Sequence, residues 1–254
     1  GGGGRGAGRG RRVPPRGRGR GGWQGMTLKL GVPSKGRLMD KTFDWFAKRG
    51  ITLRRTGSDR EYAGAVEGIE NMTLVLLSAS EIPRELAAGR IHLGVTGTDL
   101  VQEKLPLWEQ QIEPLEEMGF GQADLVLAVP QAWIDVDLTD DLDAAAAAFR
   151  AAHGFRLRIA TKYHRLVREF LREAGVADYA IVDSQGATEG TVANETAEAV
   201  ADITSSGETL RANHLKILSD GLILASQATL WRSRTARLED ADRAALRTLT
   251  DRLG

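Results

Sequence analysis

The chain of 254 residues contains no cysteine, which excludes a disulfide framework, a thiolate nucleophile and any Cys-ligated metal centre. No apolar run approaches the ~20 residues of a membrane span, and no apolar segment follows the N-terminal positive charges as a secretory leader requires. These absences predict a soluble protein of a reducing, cytoplasmic compartment. Histidine is sparse: His92, His153, His164 and His214 are scattered, with no His-Glu-x-x-His zinc pattern and no Ser/His/Asp arrangement for nucleophilic catalysis. Each of the four reads as a structural or surface residue before a catalyst. Net charge is also lacking, but only by cancellation, because residues 1–25 carry seven arginines and no acid. The remainder holds 27 basic and 34 acidic residues, a net of about −7, which argues against nucleic acid as its partner.

What is present is ordinary globular material, 42% hydrophobic and 27% charged, enough for one large domain or two small ones. Residues 1–25 are nearly all Gly, Arg and Pro, with Val13 and Trp23 their only large apolar side chains. They cannot bury enough surface to fold and are predicted to be a disordered tail. An RNA-binding arginine tail and an upstream extension before a start at Met26 both fit this composition. From Met26 onward, strand and helix patterns alternate, as in an α/β fold. Strands are expected at 28–32, 51–55, 62–66, 72–77 and 91–95, those at 51–55 and 62–66 being of the edge type. Others are expected at 125–129, 157–160, 179–182, 197–203, 214–218 and 222–230, with helices at 141–152, 163–174 and 238–253 among those between them. The pattern restarts after Trp108. Two lobes are predicted, 26–118 with 220–254 and 119–219, in the manner of type II periplasmic binding proteins, with a ligand cleft between them.

One stretch organises the rest: Asp202-Ile203-Thr204-Ser205-Ser206-Gly207-Glu208-Thr209-Leu210-Arg211-Ala212-Asn213. An apolar strand runs into small hydroxyl residues and one glycine, then into residues that open a helix. Backbone N–H groups can converge there on one anion, and Thr204, Ser205, Ser206 and Thr209 can add hydroxyl donors. An ordinary turn with a Ser or Thr N-cap fits these residues equally well. A second Gly/Thr turn, Thr96-Gly97-Thr98-Asp99, closes the strand at 91–95. Ser34-Lys35-Gly36-Arg37 closes the first strand with two cations at a helix start, where Arg37 is slightly unfavourable against the helix dipole.

Together these segments resemble the short form of the ATP phosphoribosyltransferase family. The resemblance covers residues 26–254 and rests on Leu30-Gly31-Val32-Pro33-Ser34-Lys35-Gly36-Arg37-Leu38, on Glu81-Ile82-Pro83 leading to Leu93-Gly94-Val95-Thr96-Gly97-Thr98-Asp99, on Arg158-Ile159-Ala160-Thr161-Lys162-Tyr163, and on the Asp202–Asn213 stretch. It implies the first step of histidine biosynthesis, in which N1 of ATP attacks the anomeric carbon of phosphoribosyl pyrophosphate (PRPP) with Mg2+. By the same resemblance, Thr204, Ser205, Ser206, Gly207, Glu208 and Thr209 cradle the 5'-phosphate of PRPP, and Asp202 and Glu189 are the catalytic acids. Lys35, Gly36, Arg37, Thr96, Gly97, Thr98 and Lys162 bind ATP or pyrophosphate, and Mg2+ is held mainly by substrate phosphates. A histidyl-tRNA synthetase-like regulatory subunit, in a hetero-oligomer, is the implied partner. The chain departs from the family at Ser78-Ala79-Ser80 and at Asp124, where cations are common, and at His92, where an acid is. A non-catalytic two-lobed binding protein for a phosphorylated small molecule is the rival reading, and it leaves the carboxylate of Asp202 beside an anion loop without a purpose.

Overall fold

The computed structural model describes residues 27–57, 63–184 and 186–253; the tail expected at 1–25 lies outside them. In chain order the elements are β1 (Leu28–Pro33), α1 (Gly36–Ala47), β2 (Thr52–Arg55), β3 (Ala63–Glu67), β4 (Met72–Leu77), α2 (Ile82–Ala87), β5 (Leu93–Gly97), α3 (Thr98–Lys104), α4 (Trp108–Gln111) and β6 (Ile112–Glu117). There follow β7 (Ala123–Pro130), α5 (Thr139–His153), β8 (Leu157–Thr161), α6 (His164–Glu173), β9 (Tyr179–Asp183), a 3-10 turn (Thr188–Gly190), β10 (Ala199–Thr204), α7 (Glu208–Ala212), β11 (Leu215–Ser226), β12 (Ala228–Ser233) and α8 (Asp240–Leu253).

These build two mixed sheets. The larger has the order β2-β3-β4-β1-β5-β12-β6, the smaller β11-β7-β10-β8-β9. At the centre of the larger sheet β1 runs parallel to both β4 and β5, and its apolar run reflects burial on both faces. One core joins Trp45 and Phe46 of α1 and Leu246 and Leu249 of α8 to Leu28, Leu30 and Leu74. On the other side Ile82 and Leu86 of α2 pack with Val101, Ile112 and Trp231. The smaller sheet is likewise covered twice: Leu142, Leu166, Val167 and Leu171 of α5 and α6 meet Leu127 and Ile159, while Leu210 of α7 packs with Val126, Ala128 and Val200. Among the described residues no helix is long and apolar enough to cross a membrane.

The structure corrects the sequence reading in three places. The Ser219-Asp220-Gly221 segment is not a break between strands. β11 passes through it as a bulge, with its register against β7 shifting between Ile217 and Leu222, and Asp220 takes the Thr139 N–H (2.9 Å) and hydroxyl (2.7 Å) at the start of α5. The second crossing between lobes therefore falls at Gln227, between β11 and β12, and not near residue 220. β6 carries no clear strand signal in its sequence, because Ile-Glu-Pro-Leu-Glu-Glu is acidic and contains a proline, features that fit its place as an outermost strand. β3 is interior, between β2 and β4, although its alanine- and glycine-rich sequence reads as an edge.

Candidate active site

β10 positions the acid at the centre of the smaller lobe. It pairs with β7 so that Asp202 faces Val126, and the half-buried carboxylate accepts the Ile203 N–H at 2.9 Å. Burial pushes the Asp202 carboxyl above the usual carboxylate range; the Ile203 N–H and the charge of Lys162 oppose this, while the charge of Glu189 adds to it. Asp202, Glu189 of the 3-10 turn and Lys162 at the end of β8 thus share one electrostatic neighbourhood. Two carboxylates side by side, with one cation, make a site that gains most when positive charge arrives.

Directly after Asp202 the chain turns. The Thr204 hydroxyl accepts the Gly207 N–H at 2.8 Å, and the Ser206 hydroxyl accepts the Glu208 N–H at 3.3 Å. Gly207 has φ 77°, a left-handed conformation that glycine adopts without cost. Ser205, Ser206, Glu208 and Thr209 are exposed around it. Arg211, one turn further on, donates to the Ser206 carbonyl at 3.0 Å. A Cβ on Gly207 would lie 2.8 Å from the Arg211 Nη1. The loop therefore rests on a guanidinium that the sequence reading had not singled out, although its spacing of four from Gly207 is the one helical signal available.

The second turn joins the lobes. Tyr163 of the smaller lobe donates to Asp99 at 2.7 Å, and Ser226, beside the crossing at Gln227, donates to the other oxygen of the same carboxylate at 2.8 Å. The Asp99 N–H in turn donates to the Ser226 hydroxyl at 3.1 Å. Asp99 and Tyr163 are each only 8% exposed, so the bond is made away from water. Burial, then the Asp99 charge, pushes the Tyr163 phenol far up, which keeps it a donor. Glu103 of α3 adds a second tie, accepting the N–H groups of Arg165 and Leu166 at 3.0 Å each. Gly97 has no room for a side chain: its Cβ would sit 2.2 Å from Asp99 Oδ1. Tyr163→Phe leaves the buried carboxylate one donor short and is expected to cost about 1–3 kcal/mol of stability, read as a lower urea midpoint.

Of the residues expected to contact anions in this turn, Thr96 is fully buried and its hydroxyl donates to the Ala79 carbonyl at 2.9 Å. It braces the Ser78–Glu81 segment. Half-buried Thr98 makes a long 3.4 Å contact to the Gln227 carbonyl. Lys35, Gly36 and Arg37 are exposed at the opening of α1, and Lys35 lines a cleft of about 830 Å3 with Ser34, Arg55, Ser78 and Glu81. Arg55, unforeseen from sequence, donates to the Ser34 carbonyl at 2.9 Å and brings a cation to the cleft whose Ser78 wall lacks the expected one. His92 is structural: Nδ1 accepts the Lys29 N–H at 3.0 Å and Nε2 lies 2.9 Å from the Arg237 carbonyl. Among the described residues no group of three or more His, Asp or Glu side chains could hold a metal. The hard-oxygen pair Asp202 and Glu189 suits a hard divalent cation as a partial ligand set, since such ions commonly take one or two carboxylates and fill the shell with water and substrate phosphates.

Comparison with known proteins gives the family. Residues 78–254 match the family model described as HisG: ATP phosphoribosyltransferase. A Cereibacter sphaeroides protein named ATP phosphoribosyltransferase is 73% identical over 216 residues, covering 85% of this chain and 92% of that one. A Mesorhizobium japonicum protein of the same name is 48% identical over 227 residues, covering 89% and 97%. Among solved structures, the ATP phosphoribosyl transferase (HisG:HisZ) complex from Thermotoga maritima aligns with a TM-score of 0.66 at 23% identity, over 89% of this chain and 96% of that chain. At that identity the likeness speaks for the fold.

Proposed function

Because this chain belongs to the ATP phosphoribosyltransferase family, we propose a division of labour among its residues in that family's reaction. The enzyme transfers the 5-phosphoribosyl group of PRPP to N1 of ATP, giving N1-(5'-phosphoribosyl)-ATP and pyrophosphate, the first step of histidine biosynthesis. This sets aside the non-catalytic binding-protein alternative. Adenine N1 is unprotonated near neutral pH and pyrophosphate is a good leaving group, so the reaction demands placement and electrostatics more than a strong base.

The observation that carries the proposal is the meeting of Asp202, Glu189 and Lys162 at the entrance to the Thr204–Thr209 loop. The loop holds the 5'-phosphate, with Arg211 behind it. That fixes the ribose over Asp202, a desolvated carboxylate pressed by Glu189. Burial and the charge of Glu189 raise the cost of its ionised form, and positive charge developing at the anomeric carbon offsets that cost, which is stabilisation specific to the transition state. Lys162 faces the pyrophosphate side. Lys35 and Arg55 line the cleft that takes ATP, and Gly36 and Arg37 are exposed next to Lys35 at the start of α1. Asp202 and Glu189 would hold Mg2+ together with substrate phosphates, and the bound ion would supply charge neutralisation for the leaving pyrophosphate.

The chain is further proposed to act as a short-form catalytic subunit with a histidyl-tRNA synthetase-like regulatory partner, in line with the hetero-complex of the Thermotoga protein. A pyrophosphate-release assay with ATP, PRPP and Mg2+ tests both parts. Low turnover of the chain alone and a large rise on adding the partner are expected. Absence of turnover in the reconstituted complex refutes the assignment of roles, and full histidine-sensitive turnover without the partner refutes the second part.

A further inference from the structure

The smaller lobe, between the two crossings, has seven arginines among its described residues, and four of them are engaged. Arg150 pairs with Asp178 at 2.7 Å, Arg158 grips Glu198, Arg165 reaches Glu169 and the Gln102 and Glu103 carbonyls, and Arg211 supports the phosphate loop. The guanidinium groups of the other three, Arg156, Arg168 and Arg172, make no hydrogen bond or ion pair with any described residue. These three line a single concavity of about 660 Å3, between α6 and β9. In a protein whose body carries an excess of acid, three uncompensated guanidinium groups converging on one hollow are not what a solvated surface requires. Arg168 and Arg172 stand four apart on α6, where like charges repel.

Two more features of the hollow suit an anion. Tyr179 forms part of its wall, within reach of the charges of Arg168 and Arg172, and burial holds its phenol above its ordinary value, as a donor. β9 is the last strand of its sheet, so its outer edge presents backbone N–H groups that no other strand takes. Guanidinium forks match phosphoryl oxygens in pairs, and the volume is that of a small-ligand site. We propose that this hollow is a second anion site, separate from the Thr204–Thr209 loop, which binds a small polyphosphate-bearing molecule through Arg156, Arg168, Arg172 and Tyr179. The hollow lies toward the end of α6 away from Lys162. A ligand there does not compete directly for the PRPP loop.

Inorganic tripolyphosphate is the probe, titrated calorimetrically into the full chain at low and at physiological salt. One site is expected in the parent protein beyond those of the active cleft. The Arg168→Ala/Arg172→Ala double variant should weaken that site by about tenfold or more and keep its turnover with ATP and PRPP near the parent value. Gly207→Val should leave it unchanged. Arg168→Lys/Arg172→Lys should restore part of the affinity, because charge remains and the fork is lost. Unchanged tripolyphosphate binding in the double alanine variant overturns the proposal. So does a variant that loses association with a partner protein while binding tripolyphosphate as the parent does, since the hollow is then a protein interface.

Discussion

Gly207→Val is expected to lower PRPP affinity by more than about 100-fold while the fold persists. The argument starts from the backbone. At φ 77° an ordinary L-residue costs about 1–2 kcal/mol, and a β-branched one more, because its two γ branches crowd the neighbouring peptides. The new Cβ also meets Arg211 Nη1 at 2.8 Å and Ile217 Cδ1 at 3.5 Å. The guanidinium can swing aside, but it then gives up the Ser206 carbonyl at 3.0 Å, and the loop loses its support. Relaxing φ instead breaks the Thr204 to Gly207 closure at 2.8 Å. Either way the N–H groups that converge on the phosphate splay. Gly207→Ala puts the same Cβ against Arg211 but adds no γ branches, so it should cost less than valine, with roughly 5- to 30-fold coming from the backbone strain. Calorimetric PRPP titration with a circular dichroism check on the fold measures both. If the valine variant binds PRPP as the parent does, this loop does not hold the phosphate.

That loop was legible in the sequence because its signal is local. A strand, a run of small hydroxyl residues, a glycine and a helix start lie within twelve residues, and the structure keeps them in that order. The same holds for most strands and helices, whose periodicity survives packing. What could not be read depends on partners far apart in the chain. Tyr163 meets Asp99 across 64 positions and Ser226 meets it across 127, and nothing near Ser226 marks it as a brace of the lobe junction. Arg55 sits on an exposed strand whose charge looked like ordinary surface until the fold set it beside Lys35. Conversely, Thr96 looked like a ligand contact because it flanks a Gly/Thr turn, yet its hydroxyl turns inward to Ala79. β11 misled for a related reason. Ser-Asp-Gly is a strong local turn signal, and only the long pairing with β7 and the reach of Asp220 to α5 hold the strand together through it.

Asp202→Asn is expected to make the protein more stable at neutral pH and much less active. In the folded chain burial and Glu189 hold the Asp202 carboxyl above its ordinary value of 3.8, so folding favours the protonated form. The stability this group contributes is therefore complete below the unfolded value and is lost as pH rises through the folded one. At pH 7 the ionised carboxylate is a cost to the fold, eased only by Lys162 and the Ile203 N–H. Asparagine keeps an oxygen for that N–H, can donate to Glu189, and has no charge to bury. Its urea midpoint should exceed the parent's at pH 7, and the gap should close as pH falls toward 3.8. Catalysis moves the opposite way. The charge that burdens the fold is the one that meets developing positive charge at the anomeric carbon, and its removal should lower kcat/KM on the order of 10²–10³-fold. A variant that is both less stable at neutral pH and fully active would show that Asp202 is a structural carboxylate. A variant that is stable and inactive would identify the cost of burying this charge as the cost of the chemistry.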